Sequence, residues 1–177
     1  MNRIFIMLMW MSLGLCMGLP AVGSRWAGAV PQESSEGKKS LVVIVNRANP
    51  VESLSLTELR KIFRAERNHW SDGRRITIVL EEPGQPERTT VLREIYRMSE
   101  RDFNRYFLQA TFTGEALSAP KTLTTSSGVR KFIFYAPSAI GCVRAEDVDE
   151  SVKVIRVDGY LPGEKGYPLR LEQLEAR

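Results

Sequence analysis

The chain has 177 residues, with 25 Lys and Arg against 21 Asp and Glu, one His and two Cys. That length holds one domain with a real core. The small positive excess comes without any basic stripe interleaved with aromatics, which excludes nucleic acid as an expected partner, and one His with two Cys is too thin a set for a zinc centre.

In chain order, residues 1–23 read as a secretory signal peptide. Arg3 gives a positive start, residues 4–20 are apolar and uncharged, and "AVG" at 21–23 offers small residues for cleavage. The alternative is a retained membrane anchor, since the run is almost long enough to span. Cys16 follows Leu15, where a lipoprotein signal takes Gly or Ala, which argues against lipidation. Removal of residues 1–23 leaves 24 basic and 21 acidic residues, and Cys142 as the sole thiol. No internal disulfide can then form.

Residues 24–39 are polar, with Gly, Pro and Ser, and are expected to be a linker. The α/β domain is expected over 41–160. "LVVIVN" from Leu41 is a continuous β-branched run, the pattern of a strand buried on both faces, and favours a parallel sheet covered by helices. Ser55 and Glu58 form a capping box, and Leu56, Leu59, Ile62 and Phe63 share one helical face. A turn with Asp72-Gly73 leads to a second buried strand, "ITIVL" at 76–80. Together these predict a βαβ crossover.

The turn "EEPGQPERTT", residues 81–90, comes next. Val91, Leu92, Ile95 and Tyr96 mark a second helix. Ser99 and Asp102 cap a third, whose inner face is Phe103, Tyr106, Phe107 and Ala110. After a loop, a fourth helix starts near Ser126 or Ser127, with Val129, Phe132, Ile133 and Ala136 inward, and Pro137 ends it. "AIGCV" at 139–143 and "VKVIRV" at 152–157 are short strands, and Cys142 is expected as an inert buried residue. Residues 161–177 are expected to be a tail broken by Gly and Pro. The order β-α-β-α-α-α-β-β predicts an α/β domain with a small mixed sheet.

Few residues suggest catalysis. His69 is the lone histidine, expected to pack on Trp70 in a turn, and no nucleophile elbow or phosphate-binding glycine motif accompanies it. The acidic groups Glu81 with Glu82, and Asp147 with Asp149 and Glu150, read as solvated loop carboxylates. No catalytic residue, metal ligand or cofactor is therefore expected, and the protein is not expected to be an enzyme. Two stretches could cradle an anion. Arg88, Thr89 and Thr90 open a helix with a guanidinium, two hydroxyls and free N–H groups. Thr125, Ser126 and Ser127 surround the start of the fourth helix. Ordinary N-capping uses the same residue types.

Three segments carry a resemblance. "LSLTELRKIFRAERNHWSDGRRITIVL", "YAPSAIGCVRAEDV" and "VKVIRVDGYLPGEKGYPL" occur in the order found in phosphate-type periplasmic solute-binding proteins, over about residues 41–169. The resemblance implies a single three-layer lobe of the periplasmic-binding-protein type II kind, with a small mixed sheet flanked by helices. It implies an exported, periplasmic or secreted protein linked to phosphate ABC transporters, with a small anion such as phosphate as ligand and a permease or another envelope protein as partner. The family's second phosphate loop reads Arg, a turn, then Ser-Gly-Thr. Here Glu81 stands at the Arg position and Gln85, Pro86 and Glu87 replace the triplet. Pro86 lacks a donor N–H and Glu81 reverses the charge. Arg88, Thr89 and Thr90 would then be a displaced substitute. The alternative is an envelope interaction or accessory module that keeps the fold and binds no ligand.

Overall fold

The computed structural model describes residues 39–112 and 119–171. The expected signal peptide, nearly all of the expected linker and the last six residues lie outside them.

The elements in chain order are β1 (Leu41–Asn46), β2 (Ser53–Leu54), α1 (Leu56–Phe63), β3 (Thr77–Glu81), α2 (Pro86–Thr90) and a π-helical stretch (Val91–Tyr96). They continue with α3 (Glu100–Phe112), β4 (Lys121–Leu123), α4 (Ser126–Tyr135), β5 (Ala139–Arg144), a single 3₁₀ turn (Ala145–Asp147), β6 (Val152–Val154) and β7 (Arg156–Val157). Five strands form one sheet in the order β4-β3-β5-β1-β6, and β2 pairs with β7 apart from it.

The sheet is mixed, as expected, but its wiring is not a βαβ crossover. β5 lies between β1 and β3. It runs parallel to β3, with Ile78 opposite Ile140, and antiparallel to β1, with Val43 opposite Cys142. β6 is also antiparallel to β1, so β1 opposes its neighbours on both sides. The apolar run of β1 reports burial on two faces, and that burial is the same in either chain direction. The segment 152–157 is likewise two strands. Val152–Val154 pairs with β1, whereas Arg156 and Val157 pair with Ser53 and Leu54.

Side chains alternate between two cores. Leu41, Val43, Val45, Ile78, Leu80, Ile140 and Cys142 face α1, the π-helical stretch and α3. Val42, Ile44, Val79 and Val143 face Val129 and Ile133 of α4. This strand period of two makes three layers. Each fully buried aliphatic side chain contributes roughly 1.5–3 kcal/mol. The close seat of α4 depends on Gly141. A Cβ there would lie 2.8 Å from the Val79 carbonyl oxygen and 3.0 Å from Ile133 Cδ1.

The helix ends account for much of the local order. Ser55 and Glu58 form the expected capping box on α1. Asp158 Oδ1 also accepts from the Leu56 N–H at 2.8 Å. Ser99 Oγ accepts from the Asp102 N–H at 3.2 Å, starting α3. Arg60 on α1 donates Nη2 to the Glu94 carbonyl at 3.0 Å, and Arg64, the residue that caps its C-terminal end, donates Nη2 to that of Tyr96 at 2.7 Å. They satisfy carbonyls at the end of the widened helix. Asn46, ending β1, donates Nδ2 to the carbonyls of Ile133 at 2.9 Å and Phe134 at 2.6 Å, at the last turn of α4.

Residues 161–171, expected to be tail, pack into the first core. Tyr167 and Leu169 are buried, the Leu41 N–H donates to the Leu169 carbonyl, and the Tyr167 hydroxyl donates to the Leu41 carbonyl. Gly and Pro in this segment shape turns without excluding it from the core.

Candidate ligand face at the ends of β3 and α4

β3 delivers Glu81 to the edge of the core, and α4 begins beside it. The Glu82 N–H continues the parallel ladder, donating to the Leu123 carbonyl at 3.0 Å. Gly84, at φ +94, makes the turn and Pro86 starts α2. Just past the neighbouring strand β4, Thr125 has extended backbone, and its Oγ1 caps α4 by accepting from the Gly128 N–H at 3.1 Å. Two carboxylates join the loops. Ser126 Oγ donates to Glu81 Oε1 at 2.5 Å, and Thr124 Oγ1 donates to Glu82 Oε1 at 3.2 Å.

Glu81 is no solvated loop carboxylate. It is 4% exposed. Burial pushes its carboxyl up to about 7. Ser126 and the Arg144 charge act against that rise, while the nearby charges of Glu87 and Asp147 add to it. Glu87, at 2% exposed, pairs with Arg144 through Oε1, and its Oε2 has no hydrogen-bond partner. That pairing holds the Arg144 guanidinium above its ordinary range.

The first predicted cradle turns inward. Arg88 is 4% exposed and donates Nε and Nη2 to the two carboxylate oxygens of Glu100 at 3.0 and 2.8 Å. Its Nη1 donates to the Glu81 carbonyl at 3.2 Å, and its guanidinium lies 4.7 Å from the centre of the Phe103 ring. Thr89 is exposed, but its hydroxyl and N–H both donate to the Gln85 carbonyl. Thr90 is buried and donates to the Pro86 carbonyl at 2.9 Å. Arg88 is thus a clamp between α2 and α3, with its donors taken up inside the protein.

The second cradle stays at the surface in part. Thr125 Oγ1 and Ser127 Oγ lie 3.1 Å apart. They line a cleft of about 390 Å³ that runs along α4 past Lys131 to Phe134 and Tyr135. These two rings are exposed and meet edge-on, 4.9 Å between centres. The structure therefore brings Ser126 to Glu81, leaves Thr125 and Ser127 outward, and sends Arg88 elsewhere. Sequence reading noted the reversed charge at Glu81 but missed its bond to Ser126 and the Glu87–Arg144 pair. The available signal was polar residues placed directly after the apolar strands 76–80 and 139–143.

His69 is exposed, with Nδ1 2.7 Å from Asn68 Oδ1, while Trp70 is buried and donates Nε1 to the Ser138 carbonyl. Cys142 is buried, which pushes its thiol pKa up. Among the described residues no group of three or more His, Cys, Asp or Glu side chains could hold a metal ion, and no helix is long and apolar enough to cross a membrane.

A family model described as a PBP superfamily domain matches residues 32–168. Among curated proteins no sequence matches. Among solved structures, an ABC-type phosphate transport receptor from Vibrio cholerae is 21% identical with a TM-score of 0.57, covering 70% of this chain and 48% of that one. A phosphate ABC transporter substrate-binding protein with bound phosphate, from Clostridium perfringens, is 22% identical with a TM-score of 0.56, covering 70% and 46%. PstS from Borrelia burgdorferi is 11% identical with a TM-score of 0.52, covering 70% and 49%. At these identities the likeness is one of fold, and the chain spans about half the length of each structure.

Proposed function

This chain belongs to the PBP superfamily, and from that premise we propose that it is an exported module that acts through contact with an envelope protein and holds no phosphate at the end of β3. The observation that carries this reading is the Glu81–Ser126 bond. The hydroxyl at the start of α4 that an oxyanion would use already faces a carboxylate of the chain itself. An external anion sharing that hydroxyl would lie about 4 Å from Glu81, which costs about 4 kcal/mol at an effective dielectric of 20 when Glu81 is ionised. That is roughly a thousandfold loss in affinity. Arg88, the nearest buried cation on α2, is held by Glu100 and offers no compensation.

The partner in this reading is a permease or another envelope protein. Export rests on the signal-like residues 1–23. The phosphate carried by the Clostridium perfringens neighbour supports the fold's capacity for anions, but this chain covers only 46% of that protein.

A second reading, weak binding of a small anion, is favoured by the cleft along α4, which Thr125, Ser127, Arg130 and Lys131 line together with the carboxylate of Asp149. Titration calorimetry of the full chain against phosphate and sulfate separates the two. No heat at millimolar anion supports the contact module. Saturable heat that Glu81→Gln strengthens would replace it with the anion reading.

A further inference from the structure

Four residues form the outermost line of α3. The inner side of this helix, with Phe103, Phe107 and Ala110, is buried. At a helical step of about 100° per residue, Arg101, Arg105, Leu108 and Phe112 fall within about 60° of one another on the opposite side. All four are exposed, Leu108 at 59% and Phe112 at 83%. Among the described residues Arg101 has no ion pair. Arg105 meets Asp102 at 3.7 Å, with both side chains more than half exposed, and a pair of that kind holds its charges weakly. Glu100, the other acid of this helix start, is taken by Arg88. Arg97, just ahead of α3, adds a third exposed cation. The far side of the sheet has the opposite balance. There Glu146, Asp147, Asp149 and Glu150 follow β5, against Arg130 and Lys131 on α4, and Arg130 is paired with Asp149.

We propose that this outer ridge of α3 docks on an anionic phospholipid surface. Leu108 and Phe112 enter the headgroup region, while Arg101 and Arg105 face lipid phosphates.

The ridge is the convex outside of a helix, which fits a surface that yields, as lipid headgroups do. Arginine has an apolar stem and a charged head, so both guanidinium groups can stay at phosphate level while the ring of Phe112 sits deeper. Cations beside aromatic and aliphatic side chains are the composition of helices that lie in a membrane interface. Two apolar side chains are too few to hold the protein to a neutral bilayer, so attraction between the arginines and anionic lipid has to add to them, and salt weakens it. A second copy of the chain is a poor occupant. Paired in parallel, two ridges set each arginine against itself, and paired antiparallel they bring the two Arg105 side chains within about one turn. A purely acidic protein patch would answer Arg101 and Arg105 and leave Leu108 and Phe112 without contact. The inference goes beyond the proposed contact with an envelope protein and shares no residue with the Glu81–Ser126 bond. With α3 on the lipid, α4 lies on the other side of the sheet, turned away from it.

Co-sedimentation of the full chain with vesicles of phosphatidylglycerol and phosphatidylcholine in equal parts, against vesicles of phosphatidylcholine alone, tests it. Residues 1–23 are common to every sample, so differences between variants report α3. The wild type should bind the mixed vesicles at least tenfold more strongly than the neutral ones, and about 0.5 M salt should remove that preference. Leu108→Ser combined with Phe112→Ser, and Arg101→Glu alone, should each lower binding to the mixed vesicles at least fivefold. Lys131→Glu makes the same charge change on α4, where the side chain is also exposed, and should lower binding less than twofold. Equal losses in Arg101→Glu and Lys131→Glu would assign the effect to net charge and overturn the docking ridge. Undiminished binding by the double serine variant, or no preference for the mixed vesicles, would overturn it as well. Retention of the wild type on immobilised polyglutamate, without any preference for the mixed vesicles, would replace lipid with an acidic protein partner.

Discussion

Arg88 and Glu100 form a two-point bond across the α2–α3 junction, Nε to one carboxylate oxygen at 3.0 Å and Nη2 to the other at 2.8 Å. The guanidinium is 4% exposed and Glu100 is 36% exposed. Bidentate geometry of this kind is strong and directional. Arg88→Ala removes it, together with the bond to the Glu81 carbonyl and the ring contact with Phe103. Glu100 can rehydrate once released, so the cost falls short of that for a fully buried pair. We expect a loss of about 2–3 kcal/mol in urea unfolding, and Arg88→Met to recover part of it by packing. A variant as stable as the wild type would show that the clamp carries no load.

Glu81 should govern the pH dependence of stability near neutrality. Its folded-state pKa is raised, to about 7 from an ordinary 4.5. The folded protein therefore binds more protons than the unfolded chain between those values, and stability from this group falls as pH rises from about 4.5 to about 7. Glu81→Gln removes that slope and should raise stability by up to about 3 kcal/mol at pH 8, with little change at pH 4.5. Chemical denaturation at three pH values measures it. Equal gains at pH 4.5 and 8 would assign the effect to packing.

Gly141 lets α4 lie on the sheet. A methyl group there meets the Val79 carbonyl oxygen, Ile133 Cδ1 at 3.0 Å and Val129 Cγ1 at 3.1 Å. The backbone oxygen cannot rotate away. Gly141→Ala should cost about 1–3 kcal/mol and lower the midpoint of thermal unfolding.

Thr125 caps α4 through the Gly128 N–H. Thr125→Ala leaves that donor without its side-chain acceptor, and we expect a loss of about 1 kcal/mol. Thr125→Ser should restore most of it. A loss that Ser does not rescue would point to the Thr methyl rather than the cap.

Local features were readable from the sequence wherever short-range chemistry decides them. Ser55 with Glu58, and Ser99 with Asp102, announce helix starts because capping needs only residues three apart. The inner faces of α1, α3 and α4 follow from helical spacing. The direction of β1 was not readable, because its six buried residues look the same either way round. The widened helix at Val91–Tyr96 was not readable either, since its end depends on Arg60 and Arg64, more than thirty residues earlier. At the candidate site, Arg88 and Thr89 have the residue types of an anion cradle. Glu100, twelve residues on, decides that Arg88 turns inward. Glu81 looked solvated because nothing in its neighbours in sequence shows that Ser126, forty-five residues on, bonds it at the edge of the core.

Asn46 holds the last turn of α4 at the carbonyls of Ile133 and Phe134. The helix is thus moored at one end and caught by Glu81 at the other, as a door is between hinge and bolt. Its ten residues span about 15 Å at the usual rise. A tilt of about 10° around the moored end displaces the free end by roughly 2.6 Å over that length. So small a rotation would exceed the reach of the 2.5 Å Ser126–Glu81 bond, whereas the Asn46 bonds lie at the pivot. A change at the end of β3 is therefore felt first at Ser126, the residue of α4 that bonds Glu81 and lies farthest from the Asn46 mooring.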